Sequence, residues 1–146
     1  MAIRSARTDW NGTLQDGSGR TELASSGLGT FDVSWPKRTS DAADGTTSPE
    51  ELIAAAHSSC FSMALSNEIA KAGGTPRSLQ VTADVTFDVS SGATITTSKL
   101  TVSGEVEGLD AAGFEQAANA AKAGCPVSKA LTGVEISLEI GSITGT

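Results

Sequence analysis

Apolar and polar positions alternate most regularly between Val81 and Val89. Val81, Ala83, Val85, Phe87 and Val89 are interleaved with Thr82, Asp84, Thr86 and Asp88, the period of two expected of a strand with one buried face. Ser90-Ser91-Gly92 turns the chain, and Leu100, Val102, Gly104 and Val106 then share one face of a second long strand. Ile95 falls out of phase with that face, which predicts a bulge. A different pattern precedes the pair. Ser48 is a good N-cap, Pro49 suits the first helical position, and Ser48-x-x-Glu51 has the form of a capping box. The spacing predicts a helix running to Ala72 and stopped by Gly73-Gly74. Between Leu52 and Asn67 it holds no formal charge with His57 neutral, and apolar residues occur on all its sides. Such a helix is expected to be buried, within the subunit or at a dimer interface.

The first third predicts three short strands, over Arg4–Trp10, Gly19–Ser25 and Thr30–Trp35, with Asn11-Gly12 as a hairpin-type signal. Pro36 to Thr47 reads as a polar loop carrying Lys37 and Arg38. Towards the C-terminus, Asp110 caps a helix with Phe114, Ala117, Ala118 and Ala121 at helical spacing. A short helix follows over Cys125–Leu131, and a last strand places Val134, Ile136, Leu138 and Ile140 inward. The order is βββ–α–ββ–αα–β. Strands grouped in runs imply an α+β fold with antiparallel sheets, and no glycine-rich phosphate loop supports a doubly wound nucleotide fold.

At 146 residues, a single domain spanning residues 1–146 is expected. Aromatic residues are only 4 % of the chain, so the core must be aliphatic and Ala-rich, and a partner subunit would help to fill it. A net charge of −7 argues against nucleic acid or an anionic membrane as partner, because phosphate binding needs a basic face. The N-terminus lacks the apolar stretch of a signal peptide, and no apolar run reaches the ~20 residues of a membrane span. A cytoplasmic, reducing setting is therefore expected, where a cysteine pair is more often catalytic or metal-binding than a structural staple.

The chain has two cysteines. Cys60 lies midway along the long helix, where burial would raise its pKa and make it inert. Cys125, with Pro126 at N1, occupies an N-cap position near unpaired amides, which favours the thiolate. By local electrostatics, then, Cys125 is the more acidic thiol. Cys60 becomes a nucleophile only if a cation reaches it, and Arg38 and Lys37 are the candidates. Arginine suits the task better, since it stays charged when desolvated and its planar fork can hold a thiolate and a carboxylate together. Glu50 is the candidate carboxylate. Ten residues separate it from Cys60, ~15 Å along a straight helix, so Glu50 would act on Cys60 of a second subunit unless the helix breaks. His57, three residues before Cys60, could with both cysteines be read as part of a zinc site. Closed zinc sites want four N/S ligands, and this chain has one His and two Cys, so a packed, hydrogen-bonded histidine is preferred. Trp10, Trp35 and Met63 read as core or pocket lining. A thioredoxin-like oxidoreductase is disfavoured because Cys-x-x-Cys is missing.

The segments Ser48-Pro-Glu-Glu-Leu-Ile-Ala-Ala-Ala-His-Ser-Ser-Cys60-Phe-Ser-Met-Ala-Leu-Ser66 and Ala121-Lys-Ala-Gly-Cys125-Pro-Val-Ser-Lys129 resemble the OsmC family, which forms one superfamily with the organic hydroperoxide resistance proteins. The element order agrees with it over essentially the whole chain. The resemblance implies antiparallel sheets wrapped around a long buried central helix in an intertwined homodimer. It implies a thiol-dependent peroxidase that reduces organic hydroperoxides, with Cys60 peroxidatic, Cys125 resolving, and Arg38 and Glu50 completing the site. An external thiol or dithiol would restore the cysteines, and this chemistry requires no metal, flavin or haem. The competing readings are a non-catalytic thiol redox sensor and a zinc-binding structural domain built on the same cysteines.

Overall fold

The computed structural model of the protein describes residues 1–146. Its elements are β1 (Arg7–Asn11), β2 (Ser18–Glu22), β3 (Thr30–Val33), α1 (Trp35–Arg38), α2 (Pro49–Lys71), β4 (Thr75–Asp88), β5 (Thr94–Glu107), α3 (Ala111–Gly124), α4 (Pro126–Ala130) and β6 (Glu135–Thr144). The order is the expected one with a short α1 added. No helix is long and apolar enough to cross a membrane. The chain divides into two compact units, Met1–Leu52 and Ile53–Thr146.

In the first unit β1, β2 and β3 form an antiparallel meander in which Trp10 pairs with Gly19 and Gly19 with Val33. The Trp10 ring lies close over Gly19, where a side chain would collide with it. Asn11-Gly12 does not make a two-residue hairpin. Asn11 pairs with Ser18, and the chain between them closes on itself through a Gly17 N–H to Thr13 carbonyl bond of 2.8 Å. The expected loop at Pro36 instead begins as α1. The Ser34 hydroxyl caps it by accepting from the Lys37 N–H, and proline is tolerated in the first turn. No apolar side chain of residues 1–52 is fully buried, and Trp10 and Phe31 stay exposed.

α2 starts as its sequence predicts. The Ser48 hydroxyl accepts from the Glu51 N–H at 3.1 Å, although the Glu51 carboxylate receives the Thr47 hydroxyl rather than closing the capping box. At the other end Gly73 takes a left-handed conformation and Gly74 N–H reaches back to the Ile69 carbonyl, a Schellman stop. Burial along this helix is one-sided. His57, Phe61, Leu65 and Ile69, each four residues from the last, are wholly buried, while Met63 on another face is 73 % exposed.

In the second unit that stripe packs with Leu100, Val102 and Val106 of β5 and with Phe114, Ala117, Ala118 and Ala121 of α3 in one core. The small alanines of α3 let that helix approach its neighbours closely around Phe61 and Phe114. β5 is the central strand of the order β4-β5-β6 and supplies the most buried sheet residues. The predicted bulge is present. Thr86 pairs with Thr97 but Phe87 with Ile95, leaving Thr96 as the extra residue. One pairing departs from the antiparallel expectation, because β6 runs parallel to β5. Strands joined by a hairpin must run antiparallel, as β4 and β5 do, whereas α3 and α4 carry the chain back to the start of β5 before β6 begins.

The core also holds a polar bridge. The ring of His57 lies 2.7 Å from the Ser98 hydroxyl at Nδ1 and 2.8 Å from the Ser128 hydroxyl at Nε2, with His57 and Ser98 fully buried. Burial pushes the His57 pKa down from 6.5, since the charged ring would lose its water. The folded state thus holds His57 neutral while the unfolded chain protonates it. Its contribution to stability is complete above pH 6.5 and is lost as pH falls from there through the lowered folded value.

Two expected outcomes follow from this packing. As His57 is the sole histidine, stability measured by urea unfolding should fall as pH drops below about 6.5, by up to ~1.4 kcal/mol per pH unit, and His57→Gln should flatten that slope. Gly104 faces the β4 backbone so closely that a Cβ would overlap the Ser78 carbonyl oxygen. Gly104→Ala should destabilise the fold by about 1–3 kcal/mol in the same assay, with little local room to relax.

Candidate active site

The sequence places four residues in question, and the structure presents them as two pairs. Arg38 and Glu50 belong to the first unit. Arg38 is the last residue of α1 and Glu50 lies in the first turn of α2. The guanidinium grips the carboxylate with Nη2 2.7 Å and Nε 3.0 Å from Oε1, and Nε 3.3 Å from Oε2. The Glu50 side chain is 9 % exposed and that of Arg38 28 %, so water screens the pair far less than the surface ion pairs elsewhere. The Arg38 guanidinium carbon also lies 6.0 Å from the centre of the Trp35 ring one turn earlier, at the outer limit of a cation–π contact. Lys37, the alternative cation, is turned to Asp44 at 3.6 Å.

Cys60 and Cys125 belong to the second unit, sixty-five residues apart in sequence, with their sulfurs 2.9 Å apart. That is hydrogen-bond contact between two free thiols, since a disulfide would measure about 2.05 Å. Cys60 sits next to the buried Phe61 and is half-buried, while Cys125 is fully buried. Cys125 is pinned from both sides. Its N–H closes α3 on the Ala121 carbonyl at 2.8 Å, and its own carbonyl receives the Lys129 N–H at 3.0 Å to start α4.

The two thiols are inequivalent. Burial pushes the Cys60 thiol up, and the hydrogen bond it makes to Cys125 raises it further, against the Val127 N–H that works the other way. Burial also acts to raise Cys125 and is its largest influence. It is outweighed there by the contact from Cys60, by the N–H and hydroxyl of Ser128 and by the Val127 N–H, so that Cys125 lies below the usual thiol range. The Cys125 thiol donates to the Cys60 sulfur.

Beside Cys60 a groove of about 520 Å³ opens between α2 and α3, lined by Met63, Ala64, Ala121, Gly124 and Pro126, with Asn67 and the paired Glu68 and Lys71 along its α2 side. Met63 therefore serves as groove lining rather than core, whereas Phe61, an apolar neighbour of Cys60 in sequence, faces the core and cannot line it. Trp10 is likewise no core residue. His57 is the packed, hydrogen-bonded histidine preferred over a zinc ligand: both ring nitrogens face serine hydroxyls. No cluster of three or more metal-ligating side chains exists. Ser98 and Ser128 escaped the sequence reading. The only available signal was that Ser128 follows Cys125 by three residues at the start of a helix.

Known proteins with this arrangement can now be compared. The chain is 40 % identical over 137 residues to the peroxiredoxin OsmC of Escherichia coli (strain K12), covering 93 % of this chain and 94 % of that one. Its counterpart in Shigella flexneri matches to the same extent. Among solved structures, the organic hydroperoxide resistance protein OhrB of Bacillus subtilis superposes with a TM-score of 0.69 at 27 % identity, covering 94 % of this chain and 98 % of that one. An organic hydroperoxide resistance protein of Elizabethkingia anophelis shares the fold with a TM-score of 0.70 at 24 % identity, covering 99 % of each chain. Residues 42–139, which contain α2, both cysteines and all but the end of the six-element C-terminal succession, match the family described as OsmC-like protein, and the chain belongs to the OsmC family.

Proposed function

We propose that this protein is a cysteine peroxidase that reduces organic hydroperoxides to alcohols. The observation that carries the reading is the 2.9 Å approach of two free thiols from distant parts of the chain, one half-buried beside an apolar groove and one buried behind it. Relatives named peroxiredoxin and organic hydroperoxide resistance protein support it.

The chemistry needs two sulfurs with different tasks. In this reading the Cys60 thiolate attacks the terminal oxygen of the hydroperoxide. The O–O bond breaks, Cys60 becomes a sulfenic acid, and the departing alkoxide takes the Cys125 proton to leave as alcohol. The Cys125 thiolate then attacks the Cys60 sulfur. The S–S bond forms, the S–O bond breaks, and the hydroxide released is neutralised by solvent. An external thiol or dithiol returns the disulfide to two thiols. The groove beside Cys60 is mainly apolar and suits a hydrocarbon tail better than hydrogen peroxide alone.

Cys60 requires help, because its surroundings hold it as a thiol. Arg38 is assigned that task, with Glu50 holding the guanidinium in place and keeping it oriented while partly dehydrated. α2 is unbroken from Pro49 to Lys71, and ten helical residues rise ~15 Å, so Glu50 cannot fold back along its own helix to Cys60. We therefore assign the Arg38–Glu50 pair to Cys60 of a second copy. A homodimer also fits the first unit, whose three-stranded sheet buries no apolar side chain completely and needs a cover. In this reading all 146 residues act as one functional domain.

With cumene hydroperoxide and a dithiol, Cys60→Ser should show no turnover above background, and undiminished activity would reject the assignment. Cys125→Ser should consume about one peroxide per site and then stall or over-oxidise at Cys60, as read by mass spectrometry. Arg38→Ala should slow the first step roughly 10²-fold and raise the Cys60 pKa. An unchanged rate in stopped-flow measurements would shift the role to Lys37 or another cation.

A further inference from the structure

Cys60 is not the only sulfur in the groove. Along α2, Cys60, Met63, Ala64 and Asn67 fall at helical spacing, so they share one face of the helix and line one wall. Met63 stands one turn beyond Cys60, a spacing that puts their Cβ atoms about 5–6 Å apart. Its side chain is 73 % exposed, although Phe61 and Leu65, two residues to either side, are fully buried. The rest of the apolar lining is small: Ala64, Ala120, Ala121, Gly124 and Pro126. Met63 is therefore the one large apolar side chain that the groove offers to a hydrocarbon tail.

A thioether is itself a nucleophile towards peroxide, and it has no proton to lose before it acts. Cys60 must be ionised first, and it is spent once it carries an oxygen or a disulfide. The next hydroperoxide seated in the groove then meets only the Met63 sulfur. Attack of that sulfur's lone pair on the terminal peroxide oxygen forms an S–O bond and breaks the O–O bond. Sulfur is oxidised by two electrons and the peroxide is reduced, while the proton carried over with the oxygen passes to the departing alkoxide. The products are methionine sulfoxide and an alcohol, and no further reactant is needed. A sulfoxide is polar where the thioether was apolar, so the groove loses its main surface for hydrocarbon.

We propose that Met63 is an oxidative modification site, where a hydroperoxide seated in the groove makes the sulfoxide and so lowers the preference for organic over hydrogen peroxide. This rests on the reading of the groove as the seat of an organic hydroperoxide, and it adds a regulation of that site. The modification is graded by peroxide load. While reductant keeps Cys60 a thiol, Cys60 consumes the peroxide, and Met63 is reached when the thiol cycle falls behind. Reversal needs a methionine sulfoxide reductase, because a dithiol that reopens the disulfide leaves the sulfoxide in place. The chain carries its own control. Its other methionine, Met1, is fully exposed and lines no part of the groove, so oxidation from bulk solvent marks Met1 at least as fast as Met63.

The test first converts the protein to the Cys60–Cys125 disulfide with one equivalent of cumene hydroperoxide, which shields both cysteines. Excess hydroperoxide is then added, and sulfoxide at each methionine is followed by peptide mass spectrometry. Cumene hydroperoxide should oxidise Met63 about tenfold faster than Met1, the gain of a seated over a diffusing reactant. Hydrogen peroxide, with no tail to seat, should oxidise Met63 no faster than Met1. After a dithiol restores the cysteines, kcat/KM for cumene hydroperoxide should stand about fivefold below its value before treatment, mainly through KM, with the hydrogen peroxide rate held within about twofold. Met63→Leu carried through the same cycle should show equal kcat/KM before and after. Equal oxidation of Met63 and Met1 by cumene hydroperoxide, or a decline that Met63→Leu shares, would overturn the proposal. Absence of any disulfide after the first equivalent would instead overturn the peroxidase reading, and the ratio of Met63 to Met1 oxidation would still decide whether the groove seats an organic hydroperoxide.

Discussion

The 2.9 Å contact between the sulfurs of Cys60 and Cys125 is the constraint to which the rest of the second unit is fitted. Neither cysteine can move far. Cys60 rides on α2, whose stripe of His57, Phe61, Leu65 and Ile69 is sealed against β5 and α3. Cys125 is the joint between two helices, closing one with its N–H and opening the other with its carbonyl. Two thiols held this way are near bonding distance before any oxidant arrives, so little of the entropic cost of searching for a partner thiol is left to the reaction itself.

Electrostatics divides the labour between them. Donors act on both sulfurs but outweigh burial only at Cys125, which makes Cys125 the more acidic of the two thiols. The peroxide-attacking role proposed for Cys60 therefore calls for a cation, and the one basic residue of α2, Lys71, is paired with Glu68 in its last turn. In that reading the cation is Arg38, clamped by the buried Glu50 carboxylate. Leaving a guanidinium partly dehydrated is costly unless its geometry is fixed by a paired anion, and the close two-nitrogen grip on Glu50 meets that condition. The same economy explains His57: a buried imidazole is tolerated because two hydroxyls satisfy it completely.

Much of this was legible before folding. The caps at Ser48 and Asp110, the stop at Gly73-Gly74, the alternation of β4 and the bulge near Ile95 are local signals, and each reappears where it was expected. The misreadings came where a local signal had two outcomes. Asn11-Gly12 permits a tight hairpin, but the register of Trp10 on Gly19 extends the turn to Gly17. Ser34-Trp35-Pro36 permits a loop or a helical turn, and the Ser34 cap chooses the turn that presents Arg38. The uniform apolarity of α2 concealed which face is buried, since periodicity within a helix cannot say where its neighbours stand.

The sequence by itself determined the elements, their order, the family motifs around Cys60 and Cys125, and the greater acidity of a thiol at a helix start, because these depend on neighbours a few residues apart. Only the tertiary structure decided that the two sulfurs meet, that Arg38 finds Glu50, that β6 joins β5 in parallel, and that Ser98 and Ser128 bracket His57. Those pairings join residues twelve to seventy-one positions apart, and no short-range propensity reports them. Within the second unit they arise when the apolar stripe of α2 is buried against β5 and α3, which brings the polar groups beside it within reach of one another.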